Sequence, residues 1–290
     1  MVGGMTLQTK KLNQSMKNMA ESIGLCPEKL AEGILNIANT NMERAIRVIS
    51  VQRGFDPREF TLLAFGGAGG MHCAFLARLL SIPQVLIPKN PGILSAMGMV
   101  LADVIRDYSR SVMLPGQETD YSILNQMFKP LKEQAMQDLH FEGFTKSHVV
   151  LETYLDMRYQ GQSFEIIVPF DQDYEQGFAN LHSQKYGYQN PSKPLEIVNL
   201  RIRARGRPQK PAFSKAKNLC KDVPDKALLG AKEVIFESRP WKTKILDRQE
   251  LIAGNEFNGP AVVVEYTSTI VVPPFARAEV DEYSNLVLKI

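Results

Sequence analysis

The stretch from Phe60 to Leu80 limits the possible folds of this chain more than any other. Phe60-Thr61-Leu62-Leu63-Ala64-Phe65 is a short apolar run, Gly66-Gly67-Ala68-Gly69-Gly70 follows, and Met71 to Leu80 has helical character. A strand that opens through glycines into a helix brings bare backbone close to whatever lies beside it. Glycine tolerates φ > 0 and removes the side chain that would hold a ligand away. The helix start adds unpaired N–H groups that favour a polar or anionic neighbour. A nucleotide is one such neighbour; a packed strand-to-helix turn inside an α/β domain is the other reading. The glycine spacing fits neither the Walker loop nor the dinucleotide fingerprint, so both readings stay open at this point.

The flanking segments narrow the choice. Upstream are Asn39-Thr40-Asn41-Met42-Glu43-Arg44-Ala45-Ile46 and Arg53-Gly54-Phe55-Asp56-Pro57-Arg58-Glu59-Phe60, and downstream is Pro91-Gly92-Ile93-Leu94-Ser95-Ala96-Met97-Gly98. With the glycine loop, these segments resemble the hydantoinase A / 5-oxoprolinase family, which includes the β subunit of acetone carboxylase. The resemblance extends over essentially the whole chain, as the C-terminal portion of a hydantoinase A-type subunit. It implies an α/β fold, part of an actin- and sugar-kinase-like ATPase lobe, with the glycine loop on the adenosine side. Gly66, Gly67, Ala68 and Gly69 would then border the nucleotide, with Asn39, Glu43 and Arg44 beside the adenosine pocket and His72 at its mouth. A branched side chain at Gly67 is expected to block the base or ribose and leave the fold intact.

The resemblance also implies ATP and Mg²⁺, with the Mg²⁺ ligands outside this chain, and leaves the catalytic residues unassigned. The implied substrate is a small cyclic amide such as 5-oxoproline or a hydantoin. A ketone carboxylase subunit is the alternative within the family, and a truncated nucleotide-binding or assembly module is the non-catalytic alternative. The implied partner is an N-terminal half or a hydantoinase B-type subunit, in an oligomer. Two departures stand out. Where family members commonly show proline and then His-Ala, this chain has Gly70 and then His72-Cys73, which loosens the helix start. Val2-Gly3-Gly4-Met5-Thr6 is similar to an Asp-x-Gly-Gly-Thr phosphate loop but lacks the aspartate, and reads as a connector.

Bulk properties bound the remaining classes. At 290 residues and 44% hydrophobic, the chain suits one large domain or two ordinary ones. A net charge of +3 with balanced acids and bases argues against a dedicated nucleic-acid binder. Cys26, Cys73 and Cys220 are far apart, without metal-type pairing, so no metal site is expected and a reducing, cytoplasmic setting is. No apolar run has the length of a membrane span, and the N-terminus has no signal pattern.

In chain order, Leu12 to Ile23 predicts a helix ended by Gly24, and Pro27 begins a longer one. Leu30, Ile34, Leu35, Ala38, Met42, Ala45, Ile46 and Ile49 recur at three- and four-residue steps, which predicts a stripe facing a core. Glu43 and Arg47 are placed to pair along the helix. Gln84 to Pro88 predicts a second strand, and Gly92 to Asp103 a helix whose Ser95, Ala96 and Gly98 permit close packing. Strand, helix, strand, helix predicts a parallel sheet with crossovers. Pro115-Gly116 breaks the pattern near residues 112–119. Beyond it come a helix from Tyr121 to His140, a strand over Leu151 to Tyr159 turning at Gly161, a helix from Tyr174 to Tyr186, and a strand over Leu195 to Arg205. On the last strand Arg201, Arg203 and Arg205 share a face that period-two patterning makes solvated. Lys210 to Ala227 reads as a linker, and short β-type runs follow. The expected division is residues 1–112 as the ATPase-like part, 113–212 as an α+β domain and 213–290 as a small β-rich module.

Overall fold

The computed structural model describes residues 8–116 and 119–290. The Val2–Thr6 connector and two residues of the expected break at 112–119 lie outside the described residues. Two compact units are present, Met1–Gly98 with Ala212–Ile290, and Met99–Pro211.

The first unit opens with helices α1 (Thr9–Ser22) and α2 (Pro27–Ile49). Gly24 turns the chain between them at φ 71°, and Pro27 starts α2 with its ring-fixed φ. Strand β1 (Thr61–Leu63) runs through the glycine loop into α3 (Gly69–Leu80), and β2 (Gln84–Ile87) pairs parallel with β1. A parallel pair needs a crossover, and α3 supplies it. Its Cys73, Ala74, Leu76, Ala77 and Leu80 are buried, whereas the expected core stripe of α2 is buried only in part, with Leu30 buried and Ile46 half-buried against the core. Only Leu30 and Asn39 of α2 are buried, and Ile34, Leu35 and Ile49 are exposed. The reason is that α2 packs on α1 and α3, which cover one side of it. Helix α4 (Leu94–Leu101) also differs from expectation. It buries none of its residues, and a Cβ at Gly98 would meet nothing, so its small residues serve no close packing.

The second unit contains β3 (Val104–Pro115), α5 (Tyr121–Phe141), β4 (Val149–Tyr159), β5 (Ile166–Pro169), α6 (Tyr174–Tyr186) and β6 (Leu195–Gly206). The strands form an antiparallel sheet in the order β3-β6-β4-β5. Strand β3 escapes the sequence pattern because Arg106 and Arg110 occupy positions that alternate with Val104, Tyr108 and Val112. Arg106 is accommodated by an ion pair with Glu142 at the end of α5. Leu124, Phe128 and Phe178 of the helices pack against Leu155, Met157, Leu200 and Ile202 of one sheet face. The arginine face of β6 is a ladder of ion pairs to neighbouring strands: Arg201–Asp156 at 2.8 Å, Arg203–Asp107 at 2.9 Å and Arg205–Glu152 at 3.1 Å. It is therefore half-buried by its own partners, and Asp156 is only 3% exposed.

Back in the first unit, the expected linker is pinned where Ala216 N–H donates to Glu282 O and Cys220 N–H to Ala253 O. Seven strands follow: β7 (Leu228–Phe236), β8 (Arg239–Asp247), β9 (Glu256–Asn258), β10 (Ala261–Glu265), β11 (Ser268–Val272), β12 (Arg277–Val280) and β13 (Leu286–Lys289). They make one sheet in the order β11-β10-β8-β7 and complete another, β1-β2-β13-β12-β9. A division at 213 would therefore cut through hydrogen-bonded strands. β13 pairs antiparallel with β2, opposing Leu286 to Ile87 and Leu288 to Val85, and all four side chains share one core. Among the described residues, no helix is long and apolar enough to cross a membrane.

Candidate functional site

The glycine loop is held from two sides. Gly66 adopts φ 87° and its N–H donates to Pro91 O at 2.8 Å. On the other side the two-residue turn between β10 and β11 presses on the loop, and Thr269 N–H donates to Gly67 O at 3.3 Å. A Cβ at Gly70 would lie 2.7 Å from Ile270 Cγ1 and 2.9 Å from Thr269 O, so α3 starts with glycine because β11 passes that close. The second glycine of the pair is thus a packing requirement and not a loosening of the helix start. Gly92 meets the same turn, with a Cβ position 2.4 Å from the Thr267 side chain.

What the clamp leaves open is the loop crest. Gly67 and Ala68 are exposed, and a Cβ at Gly66 would meet nothing within 4 Å. α3 begins at Gly69 without a side-chain cap, so its first N–H groups are available to a polar ligand. At Gly67 a Cβ would be 3.3 Å from Thr267 O. A valine there requires the β10–β11 turn to give by a few tenths of an ångström.

The other candidate residues separate into two groups. Asn39 and His72 come together, with His72 Nδ1 and Asn39 Oδ1 2.9 Å apart. Both line a cavity of about 430 Å³ bounded by α1, α2, α3 and the β7–β8 hairpin, in which Gly66, Gly67, Ala68 and Gly69 take no part. Glu43 and Arg44 do not line it either. Glu43 accepts from Arg47 Nε at 2.5 Å along the helix, the pairing its spacing predicts, and Arg44 is exposed. Cys73 is buried, and burial pushes its thiol up to about 12, which makes it an inert core residue.

Two features were invisible in the sequence. One is the Tyr266-Thr267 turn that clamps the loop, because nothing near residue 267 signals contact with residues 67 to 92. The other is a cavity of about 290 Å³ lined by Lys89, Arg248, Glu265 and Thr267. Arg248 donates to Ser284 O, while its Nε and Glu265 Oε1 are buried without partners. Burial pushes the Glu265 carboxyl above the usual carboxylate range, against the pull of Arg248. Among the described residues no group of three His, Cys, Asp or Glu is placed to hold a metal ion.

Comparison with known proteins agrees with the resemblance. The family model described as hydantoinase/oxoprolinase matches residues 2–108, and that of the hydantoinase/oxoprolinase C-terminal domain matches residues 116–289. An uncharacterized protein of Methanocaldococcus jannaschii is 36% identical over 98% of this chain and 41% of its own length. Caprolactamase subunit alpha of Pseudomonas jessenii is 32% identical over 91% of this chain and 40% of its own length. 5-Oxoprolinase 1 of Arabidopsis thaliana is 30% identical over 100% and 23% respectively. Nucleotide-free acetone carboxylase superposes with a TM-score of 0.87 at 21% identity over 99% of this chain and 43% of that one, a likeness of fold. The ATP-dependent caprolactamase of Pseudomonas jessenii superposes at 0.67 with 28% identity over 100% and 44%. The chain therefore spans less than half the length of each of these relatives.

Proposed function

Because the chain belongs to the hydantoinase/oxoprolinase family, we propose that it is the part of an ATP-dependent cyclic-amide hydrolase that forms one wall of the nucleotide site. The observation that carries this reading is the crest of Gly66, Gly67, Ala68 and Gly69, exposed at Gly67 and Ala68, on a loop clamped by Pro91 and Thr269. A clamped loop with nothing larger than a methyl at its crest offers preorganised backbone to a base, ribose or phosphate at little ordering cost. Arg44 stands exposed on α2 and Glu43 beside it is half-buried and paired with Arg47; both would border the adenosine side.

ATP would supply a phosphoryl group that turns the amide into a better electrophile. The residues of this chain would bind and orient the nucleotide; none is assigned a proton-transfer role. The chain does not fit Mg²⁺ by itself, since no acidic cluster of the described residues is arranged around a common point. Those ligands, and the rest of the nucleotide site, would come from an N-terminal half or a partner subunit. Caprolactamase has a subunit named alpha, in keeping with a divided assembly.

The test is phosphate release by the purified chain with Mg²⁺ and ATP, offered 5-oxoproline, a hydantoin or caprolactam, before and after adding a separately expressed N-terminal half. We expect substrate-stimulated release only after the addition. Release stimulated by acetone and bicarbonate instead would move the assignment to a carboxylase. Release by the chain alone would overturn the one-wall reading.

A further inference from the structure

Arg248 and Glu265 face one cavity, and each keeps a buried atom without a partner. The cavity, of about 290 Å³, lies where the segments after β2 and β8 meet the end of β10. One wall is the Tyr266-Thr267 turn that clamps the glycine loop, but none of Gly66 to Gly70 lines it.

Arg248 is 6% exposed. One of its terminal nitrogens donates to Ser284 O, and its Nε is the atom left without a partner. Asp281 acts on Arg248 through space, because its carboxylate accepts from Tyr283 N–H and from Asn285 N–H and Nδ2 instead. A buried guanidinium with no carboxylate in contact is costly, and an anion in the cavity would offset that cost. On the facing wall Glu265 Oε1 is the unpartnered atom. Ser268, opposite Glu265 across the turn, is 3% exposed, and its Oγ is unpartnered as well.

These two walls ask for different things. Arg248 Nε–H needs an acceptor, best an anionic one, and Glu265 Oε1 needs a donor. A simple carboxylate has the first and lacks the second. Sulfate has acceptors only and sets its charge against Glu265. An oxyanion that keeps a proton carries both on neighbouring oxygens. Lys89 at the rim adds a second cation. At about 290 Å³ the space is below the usual range for organic ligands and suits an ion with a few waters better than a nucleotide.

We propose that this cavity is a site for a free, proton-bearing oxyanion, orthophosphate, whose O⁻ accepts from Arg248 Nε–H, whose O–H donates to Glu265 and whose outer oxygens face Lys89. Orthophosphate is the simplest such ion, since both of its forms near neutral pH keep an O–H. The site does not rest on the proposed function.

The experiment is NMR of the 290-residue chain with isotope-labelled arginine side chains, at pH 7 and without nucleotide. The Arg248 Nε–H signal is assigned by its loss in Arg248→Lys. We expect sodium phosphate to shift it saturably. Sulfate at matched ionic strength should bind at least about tenfold more weakly, the effect of one unmet buried hydrogen bond. Glu265→Gln removes the like charge and offers an N–H, so it should bring sulfate level with phosphate; a merely structural role for Glu265 would not reorder the two anions. Lys89→Met, at an exposed position, should weaken phosphate about two- to fivefold. Calorimetric comparison of the two anions on the parent chain keeps the test valid if a variant fails to fold. The proposal is overturned if phosphate gives no saturable shift up to about 50 mM, ample for an ion held by charged groups, since water then fills the cavity. Equal affinity of the parent for sulfate overturns it too. So does displacement of phosphate by ATP, which would make the cavity one end of a nucleotide site. Since no turnover is read, a chain that helps to hydrolyse ATP yet shows no shift keeps its proposed function and loses this site.

Discussion

Cys73 and Gly70 lie three residues apart on α3, and each makes a claim that one substitution or one reagent can check. Cys73 is 1% exposed, and its pKa near 12 leaves almost no thiolate at pH 8. Cys26 and Cys220 are exposed. Iodoacetamide at pH 8 should therefore alkylate Cys26 and Cys220 in the folded chain and reach Cys73 only after unfolding, as peptide mass mapping would show. Labelling of native Cys73 at a comparable rate would mean that α3 opens. Gly70→Ala places a methyl 2.7 Å from Ile270 Cγ1 and 2.9 Å from Thr269 O. Overpacking against backbone costs about 1–3 kcal/mol, so the thermal midpoint should fall by several degrees. An unchanged midpoint would show that β11 yields freely. Gly66→Ala is strained for another reason, its φ of 87°, and meets no neighbour. Both glycines are plain in the sequence, yet nothing local tells which one is tight and which one is open.

The open face of the β3-β6-β4-β5 sheet shows how similar ion pairs differ in weight. Asp156 is 3% exposed and accepts from Arg201 and from Asn199 Nδ2. Replacing it with alanine leaves a partly buried guanidinium and an amide unmet. We expect Asp156→Ala to cost about 3 kcal/mol, read by urea unfolding. A loss below about 1 kcal/mol would place Asp156 with ordinary surface pairs. Asp107 is different. The Arg203 side chain hydrogen-bonds its carboxylate and holds it below the usual range, so the pair stabilises above the unfolded carboxyl value. That contribution is lost as pH falls through the lower, folded value. Arg203→Gln should lower the thermal midpoint slightly at pH 7, and the gap from the parent should close by about pH 2, where both carboxyls are protonated. A gap that persists at pH 2 would mean that packing, not charge, is what Arg203 provides. The strand itself was legible in the alternation of β6; its acidic partners sit 45 and 96 residues earlier, where no periodicity points to them.

For the molecule as a whole, the central expectation is that the chain folds but does not turn over ATP or a cyclic amide without more protein. Phosphoryl transfer depends on positioning and charge stabilisation around the transferring group. On the proposed reading the chain would contribute only a loop crest, a helix start and the exposed face of α2, and its sequence has no Asp-x-Gly-Gly-Thr segment. It also spans only 41%, 40% and 23% of three relatives. Substrate-stimulated phosphate release restored by an added N-terminal half is the outcome expected here, and release without it is the outcome that would change the assignment.

Local features were readable because their causes lie within a few residues. Gly24 and Gly187 end helices at positive φ, Pro27 starts one, and Gly161 makes the turn after β4, all as spacing predicts. Alternation likewise revealed β6, since a strand's two faces repeat every second residue wherever its partners come from. Partner choice is different, because burial depends on what arrives from far along the chain. The apolar stripe of α2 looked like a core face, yet α1 and α3 leave Ile34, Leu35 and Ile49 exposed and bury Asn39 at its edge. β13 joins β2 from about two hundred residues away and draws the C-terminal strands into the first unit. Gly70 is confined by Thr269 and Ile270 of β11 and Gly92 by the turn at Thr267, and no pattern around either glycine announces it. Sequence periodicity marks which face of an element is apolar; only the folded chain determines what, if anything, lies against it.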